Sequence, residues 1–151
     1  MAQTLTYTYL NPSLLHEQDG SLGLALATSG GSTPEGVAAH PYFFSGFMEH
    51  PDVIAASLLV VARVARTRYY TPPGMVAAIL RAADPVVTST SEGLRFESFS
   101  ACCGVYARLD VDSSALDATH SAVGVTNVDV NPPLRTALAS LRAGEPLHMD
   151  V

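Results

Sequence analysis

A chain of 151 residues, 48% of them hydrophobic, has the length of one domain and enough apolar mass to bury a core, which excludes a disordered chain. Its formal net charge of -6 argues against a dedicated nucleic-acid module, because neutralising phosphate requires a basic face. The two cysteines are adjacent and form no disulfide framework, so a reducing cytoplasm is the default setting.

The first ten residues, MAQTLTYTYL, have neither a basic n-region nor an apolar h-region, so no secretory signal is expected. Within them, residues 4–10 read as a first strand, rich in threonine and tyrosine and broken by Asn11-Pro12. Residues 13–20 suggest a short helical turn before Asp19-Gly20. Residues 22–27 suggest a second strand, and the two strands are expected to pair as an N-terminal hairpin-like unit. The glycine- and proline-containing stretch 30–41 reads as a loop. Residues 42–48, YFFSGFM, pack large side chains into a short span and are expected to plug the core.

Residues 51–70 carry the clearest helical signal. Pro51 suits a first helical turn and Asp52 its positive end. Ile54, Leu58, Val61 and Ala65 recur at helical spacing. Arg63, Arg66 and Arg68 fall near the C-terminal end, where the helix dipole favours cations. The apolar run 53–62 within this helix is far short of the roughly twenty residues a membrane span needs. A second short helix is expected over 75–83 and a strand over 85–88.

The stretch 94–111 has the cleanest alternation. Leu94 and Phe96 fall opposite Arg95 and Glu97, and after Gly104 the residues Val105, Ala107, Leu109 and Val111 fall opposite Tyr106, Arg108 and Asp110. This is a hairpin folded at 101–104 or one strand bent at a glycine bulge, with the hairpin preferred. Either way Arg95, Glu97, Arg108 and Asp110 share a polar face with Tyr106 among them. That face is a solvated sheet with charge pairs or a binding surface. Residues 112–122 read as a loop, 125–130 as a strand, and Asn131 as the N-cap of a helix to about 142. A further strand starts at 146. A chain that stops inside a strand suggests the N-terminal part of something longer.

Motifs that carry chemistry are weak. Zinc sites space their cysteines, whereas Cys102 and Cys103 are side by side, and the five histidines, at 16, 40, 50, 120 and 148, have no ligand spacing. No metal or cofactor is expected. A cysteine nucleophile would need a base, which His120 with Asp129 or Asn127 could supply in space though nothing in the sequence demands it, and buried, inert thiols are the expectation. Neither GxxxxGK[ST] nor GxGxxG occurs. Asn127, Asp129 and Asn131 lack the central glycine and closing glutamate of a calcium loop.

Five stretches together carry a resemblance: ATSGG at 27–31, HPYFFSGF at 40–47, ARVARTRYY at 62–70, LRFESFSACCGVYARLDV at 94–111 and TNVDVNPPLR at 126–135. They resemble the N-terminal region of bacterial proteins of the SWIM zinc finger family. The zinc motif itself, a CxC pair followed by CxH, is missing, so only the non-zinc region carries over. The resemblance implies a place beside MoxR-type AAA ATPases and von Willebrand factor A-domain proteins. The sequence as a whole predicts one α+β domain, with a mostly antiparallel sheet centred on 94–111 and two main helices packed on one face. Its predicted function is that of a non-enzymatic interaction or scaffold domain with a protein partner, in the cytoplasm and without a membrane span, binding through Arg95, Glu97, Tyr106, Arg108 and Asp110. A small enzyme using Cys102 or Cys103 is the alternative, and a nucleic-acid module the third reading.

Overall fold

Local turn chemistry sets the N-terminal architecture. The computed structural model describes residues 7–70, 72–77 and 83–151. Strand β1 (Leu14–Gln18) and strand β2 (Ser21–Ala25) pair antiparallel with Gln18 opposite Ser21. The two residues between them, Asp19 and Gly20, both have positive φ, 51° and 77°. A two-residue loop of this kind twists with the strands and closes a hairpin. The helical turn expected over 13–20 is therefore replaced by a strand, because Asp-Gly here turns a hairpin and does not end a helix. The strand expected over 4–10 falls partly outside the described residues, and residues 7–10 form no strand.

The expected loop 30–41 is also a hairpin, of β3 (Thr28–Thr33) and β4 (Gly36–Ala38). Its glycines hid it. A Cβ on Gly31 would lie 2.5 Å from the Val125 carbonyl oxygen, so a strand this close to its neighbour requires glycine there. Strand β5 (Phe44–Met48) follows. Phe43, Phe44 and Met48 are buried as the core plug predicts, while Tyr42 and Phe47 face out.

Helix α1 (Pro51–Arg66) has its proline in the first turn, Asp52 beside it and Arg63 and Arg66 in the last turn. It buries Ile54, Leu58, Val61 and Ala65, the stripe legible in the sequence. A short 3-10 turn spans Pro73–Met75, and most of the helix expected over 75–83 lies outside the described residues. Strands β6 (Val86–Thr90), β7 (Gly93–Phe99) and β8 (Tyr106–Asp112) then run as an antiparallel meander. Of the two readings of 94–111, the hairpin is the one adopted.

Residues 112–122 are not a loop. Asp112 caps a 3-10 turn (Ser113–Ala115) by accepting from the Ser114 N–H, and strand β9 (Leu116–Ser121) follows. Its exposed run of small and polar residues carries no apolar alternation. Strand β10 (Gly124–Val128) leads to helix α2 (Pro132–Ala139), whose N-cap Asn131 accepts from the Leu134 N–H at 2.9 Å. Strand β11 (Leu147–Asp150) is the last, and Val151 after it exchanges backbone hydrogen bonds with Phe44.

Among the described residues there are two sheets, not one. The five-stranded sheet has the order β1-β2-β11-β5-β9 and the six-stranded sheet β4-β3-β10-β6-β7-β8. The pairing of β2 with β11 is parallel, and every other pairing is antiparallel. The β7–β8 hairpin is thus at an edge of its sheet, with β8 outermost, and not at the centre. Helix α1 packs on one face of β7 and β8 and against α2, and α2 reaches β1. The Ser98 hydroxyl donates to the Val61 carbonyl at 2.5 Å, pinning α1 to the face that also holds Leu94 and Phe96. Side chains from both sheets and both helices meet in one hydrophobic cluster, including Leu24, Phe44, Leu58, Phe96, Leu134 and Met149. The fold is α+β.

Candidate functional site

The register of the six-stranded sheet builds its outer face in rows. One row runs Val125, Thr88, Arg95, Asp110 across β10, β6, β7 and β8. The next runs Asn127, Val86, Glu97, Arg108, and a third pairs Phe99 with Tyr106. Successive strand residues alternate faces, so these side chains point away from Phe96, Ser98 and α1. All five residues predicted from the sequence, Arg95, Glu97, Tyr106, Arg108 and Asp110, lie together there.

Their chemistry is paired. Arg95 Nε donates to Asp110 Oδ1 at 2.7 Å, and Arg108 Nε donates to Asp110 Oδ2 at 2.5 Å. Asp110 is held below the usual carboxylate range by these bonds, that of Arg108 first and that of Arg95 second. The Tyr106 hydroxyl donates to Glu97 Oε1, and that bond raises the Tyr106 phenol. Tyr106 also packs against Phe99 with ring centroids 4.9 Å apart, and Phe99 is 62% exposed. A shallow concavity of about 510 Å³ opens over Thr88, Thr90, Arg95, Arg108 and Asp110. The charged residues of β8 also guard an outermost strand against pairing with another chain.

At the far end of the hairpin lie the cysteines. Cys102 and Cys103 are both exposed, which overturns the expectation that at least one is buried. They sit in the β7–β8 turn, not on a strand. Cys103 has φ 58°, and the Ala101 N–H donates to the Thr67 carbonyl at 2.8 Å, fixing the turn against the end of α1. The Ser100 hydroxyl accepts from the Val105 N–H at 2.9 Å and lies 3.5 Å from Cys102 Sγ, so its own hydrogen is free for the sulfur. That bond, with the Gly104 and Tyr69 N–H groups, lowers the Cys102 thiol to about 7.

The grouping of a cysteine with His120 and Asp129 or Asn127 is not assembled. His120 stacks on Tyr42, with its Nε2 3.4 Å from the Tyr42 carbonyl. Asp129 Oδ2 accepts from the Ser13 N–H and the Asn131 amide, and Asn127 donates to the Asp84 carbonyl. No cluster of three or more His, Cys, Asp or Glu suited to a metal occurs among the described residues.

Sequence reasoning missed two polar groupings. One is Asp84, whose carboxyl is raised by burial and accepts from the Tyr9 hydroxyl at 3.1 Å. Burial and the Asp84 charge push the Tyr7 phenol up to about 12 and raise Tyr9 further still. The other is the outer face of the five-stranded sheet, where His16, His120 and His148 are gathered. Their strands are distant in the chain, so spacing gave no signal.

No family model, curated protein or solved structure matches the chain. Among the described residues no helix is long and apolar enough to cross a membrane.

Proposed function

We propose that this chain is a protein-interaction domain that docks its partner on the outer face of the six-stranded sheet. The observation that carries the reading is the Arg95–Asp110–Arg108 network beside the exposed Phe99–Tyr106 pair, on a face turned away from α1. Arginine and tyrosine are among the side chains most enriched at interface hot spots, and here both are held in place before binding. Nucleic acid suits the face less well. Each arginine is already paired with a carboxylate, and the chain carries a net charge of -6.

The resemblance to the non-zinc region of SWIM zinc finger family proteins supplies the partner class. On that basis the partner is a MoxR-type AAA ATPase or a von Willebrand factor A-domain protein, met in the bacterial cytoplasm. The test titrates purified proteins of these two classes from the same genome against the intact chain. Arg108→Ala is expected to weaken binding by at least about fivefold, the usual mark of a contributing interface residue, with an unchanged melting curve. Binding untouched by the Arg95→Ala, Arg108→Ala double substitution would reject this face.

A further inference from the structure

The outer face of the five-stranded sheet carries a different chemistry. Ser45 of β5 lies directly opposite Asp150 of β11. His148 precedes Asp150 by two residues on the same strand, so both side chains leave the same face as Ser45. Ser45 Oγ is 3.4 Å from His148 Nε2, and His148 Nδ1 is 3.3 Å from Asp150 Oδ2. The order is hydroxyl, Nε2, Nδ1, carboxylate. This is the arrangement by which a carboxylate orients an imidazole that takes the proton of a nucleophilic hydroxyl. The spacings are longer than ideal hydrogen bonds, as such groups often are without substrate.

Two contacts fix the group, and a cavity opens beside it. The Tyr42 hydroxyl donates to Asp150 Oδ1 at 2.8 Å, so the carboxylate is held on both oxygens. Phe47 packs edge-on against the His148 ring, centroids 5.0 Å apart and planes at 82°, which limits the ring's rotation. A cavity of about 360 Å³ opens at His148 and Asp150, lined also by His16, Gln18, Gly23 and Phe47. Gly23 stands between the two imidazoles in the register, opposite His16 on one side and His148 on the other. A Cβ there would come within 2.5 Å of the His16 ring, so with this ring placement Gly23 leaves the space the imidazole occupies. His16 Nδ1 is buried without a hydrogen-bond partner. The side chains of His148 and Asp150 are 27% and 37% exposed, and Ser45, half-buried, lies beside the cavity and not in its lining.

We propose that Ser45 is a nucleophile toward small carboxylic esters, with His148 as its general base and Asp150 as the positioning residue. Ser45 Oγ bonds to the carbonyl carbon while its proton passes to His148 Nε2. The ester C–O bond breaks and the alcohol leaves with that proton. Water then gives a proton to His148 Nε2 and its hydroxyl to the acyl carbon, the acyl–Oγ bond breaks to release the acid, and His148 returns the proton to Ser45 Oγ. The proposal does not rest on the docking face, which lies on the other sheet, and it departs from the non-enzymatic function read in the sequence.

The intact chain is treated with a fluorophosphonate ester probe and the adduct mapped by mass spectrometry, alongside hydrolysis of p-nitrophenyl acetate. The expected result is one adduct per chain on Ser45, absent in Ser45→Ala, forming at least about a hundredfold more slowly in His148→Ala. Asp150→Asn is expected to lower the limiting rate of labelling and leave the half-saturating probe concentration unchanged. Absence of a Ser45 adduct in the unaltered chain, or labelling at another residue alone, overturns the proposal even if a variant fails to fold. So does a His148→Ala chain that folds and labels at the original rate.

Discussion

The two sheets turn unlike outer faces to solvent. On the six-stranded sheet the charges are engaged: Asp110 lies between Arg95 and Arg108, and Glu97 accepts from the Tyr106 hydroxyl. On the five-stranded sheet imidazoles and hydroxyls surround the Asp150 carboxylate, which is bonded to Tyr42 and His148, and among the described residues no arginine pairs with it. The first pattern fixes geometry and neutralises charge, which suits recognition of a complementary surface. The second leaves a proton acceptor between a hydroxyl and a carboxylate, which suits proton transfer. The same alternation of a half-buried strand supports both, because only the inward residues are committed to packing.

Both faces stand on one core, and that sets the largest expected effect. Phe96 is fully buried in the cluster that also holds Phe44 and Met149 from the other sheet. Phe96→Ala is expected to cost about 3–5 kcal/mol, measured by denaturant unfolding, with both faces lost in a single transition. Two separate transitions, with the five-stranded sheet surviving the first, would show that the faces do not share their support.

A smaller effect distinguishes the turn of the β7–β8 hairpin from the face it closes. Cys102 is lowered to about 7 by the Ser100 hydroxyl first, then by the Gly104 and Tyr69 N–H groups. A lowered thiol pKa means that thiolate, the reactive form, is present above about pH 7 and lost below it. Alkylation of Cys102 is therefore expected to reach half its maximal rate near pH 7. In Ser100→Ala the midpoint should move up, toward the ordinary thiol range of about 8.5. An unaltered chain whose Cys102 midpoint already lies at that ordinary value would remove the hydroxyl's role.

How far each face was legible follows from sequence distance. The residues of the β7–β8 face are close in the chain, so the face shared by Arg95, Glu97, Arg108 and Asp110 could be read from alternation, while the pairing of Arg95 with Asp110 came from the register of the hairpin. Helix α1 and the Asn131 cap were legible for the same local reasons. The triad-like group joins β5 to β11 across the whole chain, and no local rule pairs Ser45 with Asp150. Strands β3 and β9 escaped because glycine packing and an exposed polar edge erase the alternation that marks a strand. The cysteines were misplaced because the alternation ends at Phe99. Beyond it the turn carries them into solvent, Cys103 with positive φ.

The smallest effect compares two carboxyl groups whose proton affinities are shifted in opposite directions. Asp110, exposed, is lowered by Arg108 and Arg95, while Asp84 is raised chiefly by burial. A lowered folded-state pKa means the folded chain binds the proton less tightly than the unfolded one. The contribution of Asp110 is therefore present above the ordinary carboxylate range, near 4, and lost as pH falls through its folded value. Asp84 works the other way. Its contribution is present below that range and lost as pH rises through its folded value, because ionising a buried carboxyl is opposed by desolvation. In urea midpoints measured from about pH 3 to 8, Asp110→Asn should fall below the unaltered chain only toward neutral pH, and by little, since solvent screens the pair. Asp84→Asn should gain on the unaltered chain over the same rise in pH. Curves that shift in the same direction for both variants would mean that burial at Asp84 is not what sets its proton affinity.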